Sequence, residues 1–250
     1  MRATVSVAYE TTPSRNVIVE KRGTSSTAGV VVLGGHFDTV PDVPGANDNG
    51  SGTAAILAIA EAVTSLDLPV TIRFIAFGSE ELGLLGSRHY VDSLTEADRR
   101  DIVAMLNFDA LGSGPTAGLF GDDALADRAV KEADRLGLSV VREPGIQGGS
   151  SDFAPFEAAG VPFLFFLASD FSRIHTPEDR LEFIDADLMG TAAAVAIEVL
   201  RGLPLRSEAC STGATCLAAY LPPAIRSLSS LPASVSDAPT VAPLNSVIPA

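Results

Sequence analysis

The sequence predicts an α/β fold three layers deep, with helices on both faces of a central mixed, mostly parallel sheet. Three observations carry that reading. Short, near-continuous apolar runs recur along the chain, the pattern of strands covered on both faces. Stretches with helical spacing of apolar residues separate these runs. Each run ends on a loop rich in Gly, Asn or acidic residues, where a parallel α/β sheet collects its ligands.

In chain order, residues 5–9 and 16–20 alternate like an edge hairpin. Residues 30–33 form the first fully apolar strand, followed by a turn-rich loop to Gly50. Ser51 can then cap a helix over residues 52–63, where Ala, Ile and Leu recur at helical spacing. Residues 70–77, β-branched and aromatic, give a second buried strand, residues 104–108 a third and residues 161–167 a fourth. Helices are expected over residues 124–136, 155–159 and 187–200. From position 205 the chain turns to Ser, Pro, Ala and Thr with almost no charge, the composition of a linker or disordered tail.

Composition narrows the function. At 250 residues, 46% apolar, the chain can bury one sizeable core. Its 31 acidic and 17 basic residues, a formal charge of −14, argue against a nucleic-acid partner, which needs clustered Lys and Arg. No apolar run approaches the roughly 20 residues that span a bilayer, and Met1 is not followed by a basic stretch and an apolar signal core. Cys210 and Cys216, the only cysteines, lie in the tail. They can close one small loop disulfide, which leans toward an oxidising compartment.

The chemistry-bearing residues follow the apolar runs. His36 and Asp38 follow the first, Glu80 and Glu81 the second, Asp109 the third, and a loop reaching His175 the fourth. A mixture of imidazole and carboxylate at one sheet edge suits a borderline divalent ion such as zinc and is too poor in oxygen for calcium. His36 and Asp38, two apart at a strand end, point the same way, so Asp38 is expected to accept a hydrogen bond from the ring nitrogen that holds no metal. The loop Pro44-Gly45-Ala46-Asn47-Asp48-Asn49-Gly50-Ser51-Gly52 tolerates unusual backbone angles and can carry Asp48 into a crowded site. Taken alone, Glu80-Glu81 would be a solvated loop pair, and Asp48 with Asn49 a mere turn; the strands around them change that reading. His89 reads as an ordinary helix-surface residue. The acidic stretches 96–101 and 178–182 read as solvated faces or helix starts, with Asp179 capping locally. No Lys follows the Gly-rich loop where a phosphate cradle requires one.

Gly35-His36-Phe37-Asp38, Gly45-Ala46-Asn47-Asp48-Asn49-Gly50-Ser51-Gly52, Phe77-Gly78-Ser79-Glu80-Glu81-Leu82-Gly83-Leu84-Leu85-Gly86-Ser87, Asn107-Phe108-Asp109 and Arg173-Ile174-His175-Thr176 resemble, in order, the motifs of the M28 family of zinc aminopeptidases. The resemblance implies two Zn2+ ions, with Asp48 bridging both, His36 and Asp109 completing one site, and Glu81 and His175 the other. Co2+ or Mn2+ are possible substitutes. Glu80 would be the proton shuttle in hydrolysis of the N-terminal bond of peptide substrates, and the Asp48-Asn49 peptide would be cis. Residues 1–204 would form the peptidase domain, lacking the N-terminal helices of relatives, and residues 205–250 the tail. The resemblance favours secretion, although the chain as given carries no signal peptide.

The chain also departs from the pattern. Ala110 follows Asp109 where many relatives carry a bulkier residue such as Met, so a wider neighbouring pocket is expected. Ser151-Asp152-Phe153 resembles a Ser-Asp-His motif with Phe153 in place of the His, leaving Asp152 expected behind the ligands. Some relatives place a Tyr nearby; none stands between Arg142 and Asp152, so oxyanion stabilisation would rest on the metals. A carboxypeptidase or an aminoacylase-like amide hydrolase is the alternative on the same fold, with Arg173 a candidate carboxylate partner. A non-catalytic binding domain is the alternative from another class, and glutaminyl cyclisation on a related one-metal scaffold is a third.

Overall fold

The computed structural model of the chain describes residues 12–146 and 148–203. Among these residues seven strands, β1 (Val17–Lys21), β2 (Val30–His36), β3 (Thr71–Phe77), β4 (Ile102–Phe108), β5 (Ala117–Gly121), β6 (Val140–Arg142) and β7 (Phe163–Ala168), form one sheet in the order β1-β3-β2-β4-β7-β5-β6. The central strands β3, β2, β4 and β7 run parallel, β1 is antiparallel to β3, β5 antiparallel to β7, and β6 parallel to β5. The expected mixed, mostly parallel sheet is what the chain forms.

Among the described residues six α-helices, α1 (Gly52–Val63), α2 (Leu85–Ser93), α3 (Glu96–Asp101), α4 (Asp123–Leu136), α5 (Phe153–Ala158) and α6 (Ala186–Arg201), complete the layers. Strand side chains alternate between two faces, and the apolar core divides accordingly. Val31, Leu33, Ile72, Phe74, Leu106, Phe108, Leu164 and Phe166 pack with α1, α4 and α6. Val32, Ile75, Phe77, Met105, Phe163 and Phe165 pack with α2 and α5. Burying each such side chain is worth roughly 1.5–3 kcal/mol, which is why the central strands need to be apolar on both faces.

This packing brings the carboxyl ends of the parallel strands level. His36 pairs in register with Phe77, and Gly34 with Asn107, so the residues that follow β3 and β4 emerge beside the end of β2. The start of α1 presses against the same edge. A Cβ on Gly35 would stand 2.5 Å from the Phe108 carbonyl oxygen, and one on Gly52 2.2 Å from it, so neither position has room for a side chain.

Several expectations need correction. Ser51 does not cap α1: it is already helical (φ −65°, ψ −47°), because the wide turn Ala46–Ser51 runs directly into the helix. Its hydroxyl donates to the Asn47 carbonyl (2.6 Å) and accepts from the Leu111 amide (2.9 Å), while the Asn49 side chain accepts the Gly52 amide (2.8 Å). The segment expected as the second half of an edge hairpin is β1, and it pairs with β3 instead; residues 5–9 lie outside the described residues, as do positions 205–250 with Cys210 and Cys216. The edge strands β5 and β6 went unassigned in the sequence reading, α2 entered it only as the helix carrying His89, and the acidic stretch 96–101, read as a solvated face or helix start, is helix α3 behind a Thr95–Asp98 capping box. No helix among the described residues is long and apolar enough to cross a membrane.

Candidate metal centre

His36 is the last residue of β2 and almost wholly buried. Its Nδ1 lies 3.0 Å from the Asp38 backbone carbonyl, which can only accept, so Nδ1 carries the proton and Nε2 presents a lone pair. Nε2 faces Asp48 Oδ1 at 3.1 Å, Asp109 Oδ1 at 3.5 Å and Glu80 Oε2 at 3.9 Å. On the other side of Asp48, His175 Nε2 lies 3.1 Å from Asp48 Oδ2 and 3.1 Å from Glu81 Oε2. Two ligand-like triads result, His36–Asp48–Asp109 and Asp48–Glu81–His175, and they share Asp48, one oxygen to each.

The donors fit a metal ion better than they fit one another. His36 Nε2, Asp109 Oδ1 and Glu81 Oε1 are buried with no hydrogen-bond partner, a costly arrangement unless something else satisfies them. Ligand atoms at about 2.0–2.2 Å from a tetrahedral ion stand roughly 3.3–3.5 Å apart, close to the 3.1–3.5 Å found between the triad atoms. Three protein ligands per ion leave a coordination position open, as in catalytic rather than structural zinc sites.

The surrounding elements explain how acids come to be gathered there. Asp48 sits in the turn before α1, outside helical angles (φ −113°, ψ 92°), and its peptide bond to Asn49 is cis, as the resemblance implied. The Asn49 amide donates to the Phe108 carbonyl at 2.9 Å, fastening that turn to the end of β4. Ser151 Oγ donates to Asp109 Oδ2 at 2.8 Å, leaving Oδ1 to the site, and Asn107 Nδ2 donates to Ser151 Oγ at 3.1 Å. Ser79, Ala110 and His175 adopt left-handed backbone angles (φ 59°, 52° and 59°), uncommon for residues with a Cβ and concentrated beside the ligands.

Asp38 differs from its expected part. Its carboxylate is 3.6 Å from His36 Nδ1, beyond hydrogen-bond range, because it is turned to accept the backbone amides of Glu80 (3.0 Å) and Glu81 (3.3 Å). Its main chain, rather than its side chain, orients the imidazole. Asp152 is fully buried, yet neither carboxylate oxygen has a hydrogen-bond partner, so the direct link to Asp109 comes from Ser151 instead. Phe153 joins an aromatic cluster, stacked on Phe163 at 4.5 Å with Phe120 edge-on at 5.6 Å. His89 lies exposed on α2. Two roles went unread in the sequence: that of the Ser151 hydroxyl, met only as part of a Ser-Asp-His-like motif, and that of Asp179, expected only to cap locally, whose buried carboxylate accepts the amides of Asn47 (2.7 Å) and Asp48 (3.0 Å).

Electrostatics of the metal-free protein reflect this crowding. Burial would lower His36, but the negative charge of Asp109, with Asp38 and Asp48 also close to the ring, raises it far above its ordinary value. Burial, with Asp109, Asp152 and Glu81 adding to it, pushes Glu80 up to about 8. Burial and Asp48 raise Glu81, and burial brings Asp152 to about 7. Burial would raise Asp38 as well, yet His36 and the two amides it accepts hold it below the usual carboxylate range.

The profile of peptidase family M28 matches residues 16–200. Aminopeptidase YwaD of Bacillus subtilis (strain 168) is 37% identical over 198 residues, covering 74% of this chain and 44% of the relative. Leupeptin-inactivating enzyme 1 of Streptomyces exfoliatus is 44% identical over 150 residues, covering 58% of this chain and 34% of its own. Among solved structures, BSAP, a zinc aminopeptidase from Bacillus subtilis, matches with a TM-score of 0.68 at 33% identity, over 74% of this chain and 49% of its own. The chain thus spans less than half the length of each of these relatives.

Proposed function

The chain belongs to peptidase family M28, and from that premise we propose that it is a two-zinc aminopeptidase that hydrolyses the N-terminal bond of peptides. His36, Asp48 and Asp109 would hold one ion and Asp48, Glu81 and His175 the other, with Glu80 as general base. The observation that carries the reading is Asp48, whose two oxygens each lie 3.1 Å from a different imidazole. A protein built for one ion has no use for that arrangement, which counts against the cyclase reading. Both complete triads also count against a binding domain that has lost its metals.

When bound, a zinc pair supplies Lewis acidity, acidifying a water and polarising the scissile carbonyl. The remaining work falls to the chain. Glu80 lies beside the first triad without belonging to it, 3.9 Å from His36 Nε2. Burial raises it to about 8 in the metal-free protein, and nearby cations would lower it toward neutrality, where it could take a proton from water and hand it to the departing amine. The hydrogen bond that the Glu80 backbone amide donates to Asp38 Oδ1 holds the loop beside the site.

Charge favours the amino-terminal direction. The groups beside the proposed ligands, Glu80 and Asp38, are carboxylates and suit an α-ammonium group. Arg173, the candidate for gripping a substrate carboxylate, is engaged elsewhere: it pairs with Asp170 (3.5 Å) and stacks over the Phe183 ring (4.3 Å). The test is hydrolysis of aminoacyl-p-nitroanilides by the purified, zinc-loaded chain, compared with their N-acetyl analogues. We expect cleavage of the free amines only, and a loss of about 10²–10⁴-fold in kcat for Glu80→Gln with metal content unchanged. Retained activity in that variant, or faster cleavage of the blocked substrates, would overturn the assignment.

A further inference from the structure

Asp179 makes three bonds to the turn that carries Asp48. Oδ1 accepts the Asn47 amide at 2.7 Å, Oδ2 the Asp48 amide at 3.0 Å, and the backbone carbonyl the Ala46 amide at 3.2 Å. The residue is 1% exposed, so these bonds form away from competing water. On its own side, the Asp179 amide donates to the Thr176 carbonyl (3.0 Å), and Thr176 Oγ1 donates to the Arg173 carbonyl (2.7 Å), bracketing His175. One buried carboxylate therefore ties together two loops far apart in sequence, each bringing one ligand to the Asp48–Glu81–His175 triad.

The two triads depend on this tie unequally. Asp48 is common to both, but His36 stands on a central strand with its ring oriented by the Asp38 carbonyl, and Asp109 is held by Ser151. His175 has neither support: it is about half exposed, in a loop, at a left-handed backbone position. We propose that Asp179 is a positioning residue that sets metal affinity at the Asp48–Glu81–His175 site, apart from the His36–Asp48–Asp109 site. This rests on the two-zinc reading above. The side chain has to be a carboxylate because two amide donors face it; an Asn of the same size offers one oxygen and sets an NH2 donor against the other amide.

The experiment titrates the metal-free full chain with Zn2+ against a competing chelator, and with Co2+ to follow the visible spectrum of each equivalent. Wild type is expected to bind two ions. Asp179→Asn should keep the first and weaken the second by about 10- to 100-fold, the usual effect of losing a group that orients a ligand, with an altered spectrum for the second Co2+ only. Asp185→Ala, which removes the acceptor of the Asp187 amide at the start of α6 in the same segment, controls for general loosening and should leave both ions unchanged. Unchanged titration in Asp179→Asn, equal weakening of both ions, or the same loss in Asp185→Ala would overturn the positioning role while the two-zinc reading stands. A wild-type chain that binds fewer than two ions would overturn both. Should Asp179→Asn not fold, Asp179→Ser, smaller and with one oxygen acceptor, is judged by the same outcomes.

Discussion

Ser151 shows how much of this centre hangs on groups that never touch an ion. Its hydroxyl donates to Asp109 Oδ2 and accepts from Asn107 Nδ2, so it fixes which carboxylate oxygen faces the site. Ser151→Ala removes both bonds in a buried setting. We expect a loss of about 1–3 kcal/mol in stability of the metal-free protein, and a first-site affinity lower by roughly 10- to 100-fold, read by chemical denaturation and metal titration. Titration of the acids gives a second expectation. Glu80 at about 8 and Asp152 at about 7 are raised above their unfolded values, so the folded, metal-free chain binds more protons than the unfolded one between about pH 4 and 8. Their contribution to stability is therefore full at low pH and lost as pH rises through 7 to 8. The metal-free melting temperature should fall by several degrees between pH 5 and 8; a rise over that interval would contradict the assignment. The parts that Ser151 and Asp179 play were not legible in the sequence for a physical reason. A Ser between Ser150 and Asp152 carries no periodic signal, and the donors that Asp179 serves are backbone amides, which every residue but proline has.

At the scale of elements, the site depends on how closely the turn Ala46–Ser51 and α1 approach the end of β4. Gly52 lets the helix start against the Phe108 carbonyl, where an added Cβ would sit 2.2 Å from that oxygen and 2.3 Å from Asn49 Oδ1. Gly52→Ala should cost about 1–3 kcal/mol and, by displacing Asp48, also impair metal binding. Loss of an ordinary cap elsewhere makes a useful contrast. Asp122 accepts the amides of Ala124 and Leu125 at the start of α4, well away from the ligands. Asp122→Ala should cost about 1 kcal/mol with unchanged metal titration. The four central strands were legible because burial on both faces forces uninterrupted apolar runs. β5 and β6 were not: Ala117–Gly121 holds two glycines and Val140–Arg142 spans three residues, too short for a period to register. The Ser51 cap misread a sequence signal that the preceding turn overrides, since the first amide of α1 already has an acceptor in Asn49.

For the whole molecule, the five proposed ligands come from four strand ends and one turn, so bound metal would cross-link segments spread from His36 to His175. A ligand that binds only the folded state stabilises it by about 2.7 kcal/mol at a hundred times its dissociation constant. For a domain of this size that corresponds to a melting temperature higher by roughly 5–10 °C, reversed by chelator and measurable by calorimetry. Deprotonation accompanies metal binding, so loading at pH 7 should also release protons, visible as a dependence of the binding heat on the buffer. The acidic balance of −14 fits a surface that repels polyanions and a centre whose nearest unliganded groups are carboxylates.

The shared carboxylate of Asp48 has a kinetic consequence as well. One of its oxygens faces an imidazole that is 1% exposed, the other an imidazole that is 52% exposed. The outer ion should therefore exchange with solution far sooner than the inner one. A brief pulse of chelator would strip the His175 side alone, and refilling with a different cation would trap a heterobimetallic protein with a distinct element at each end of one aspartate.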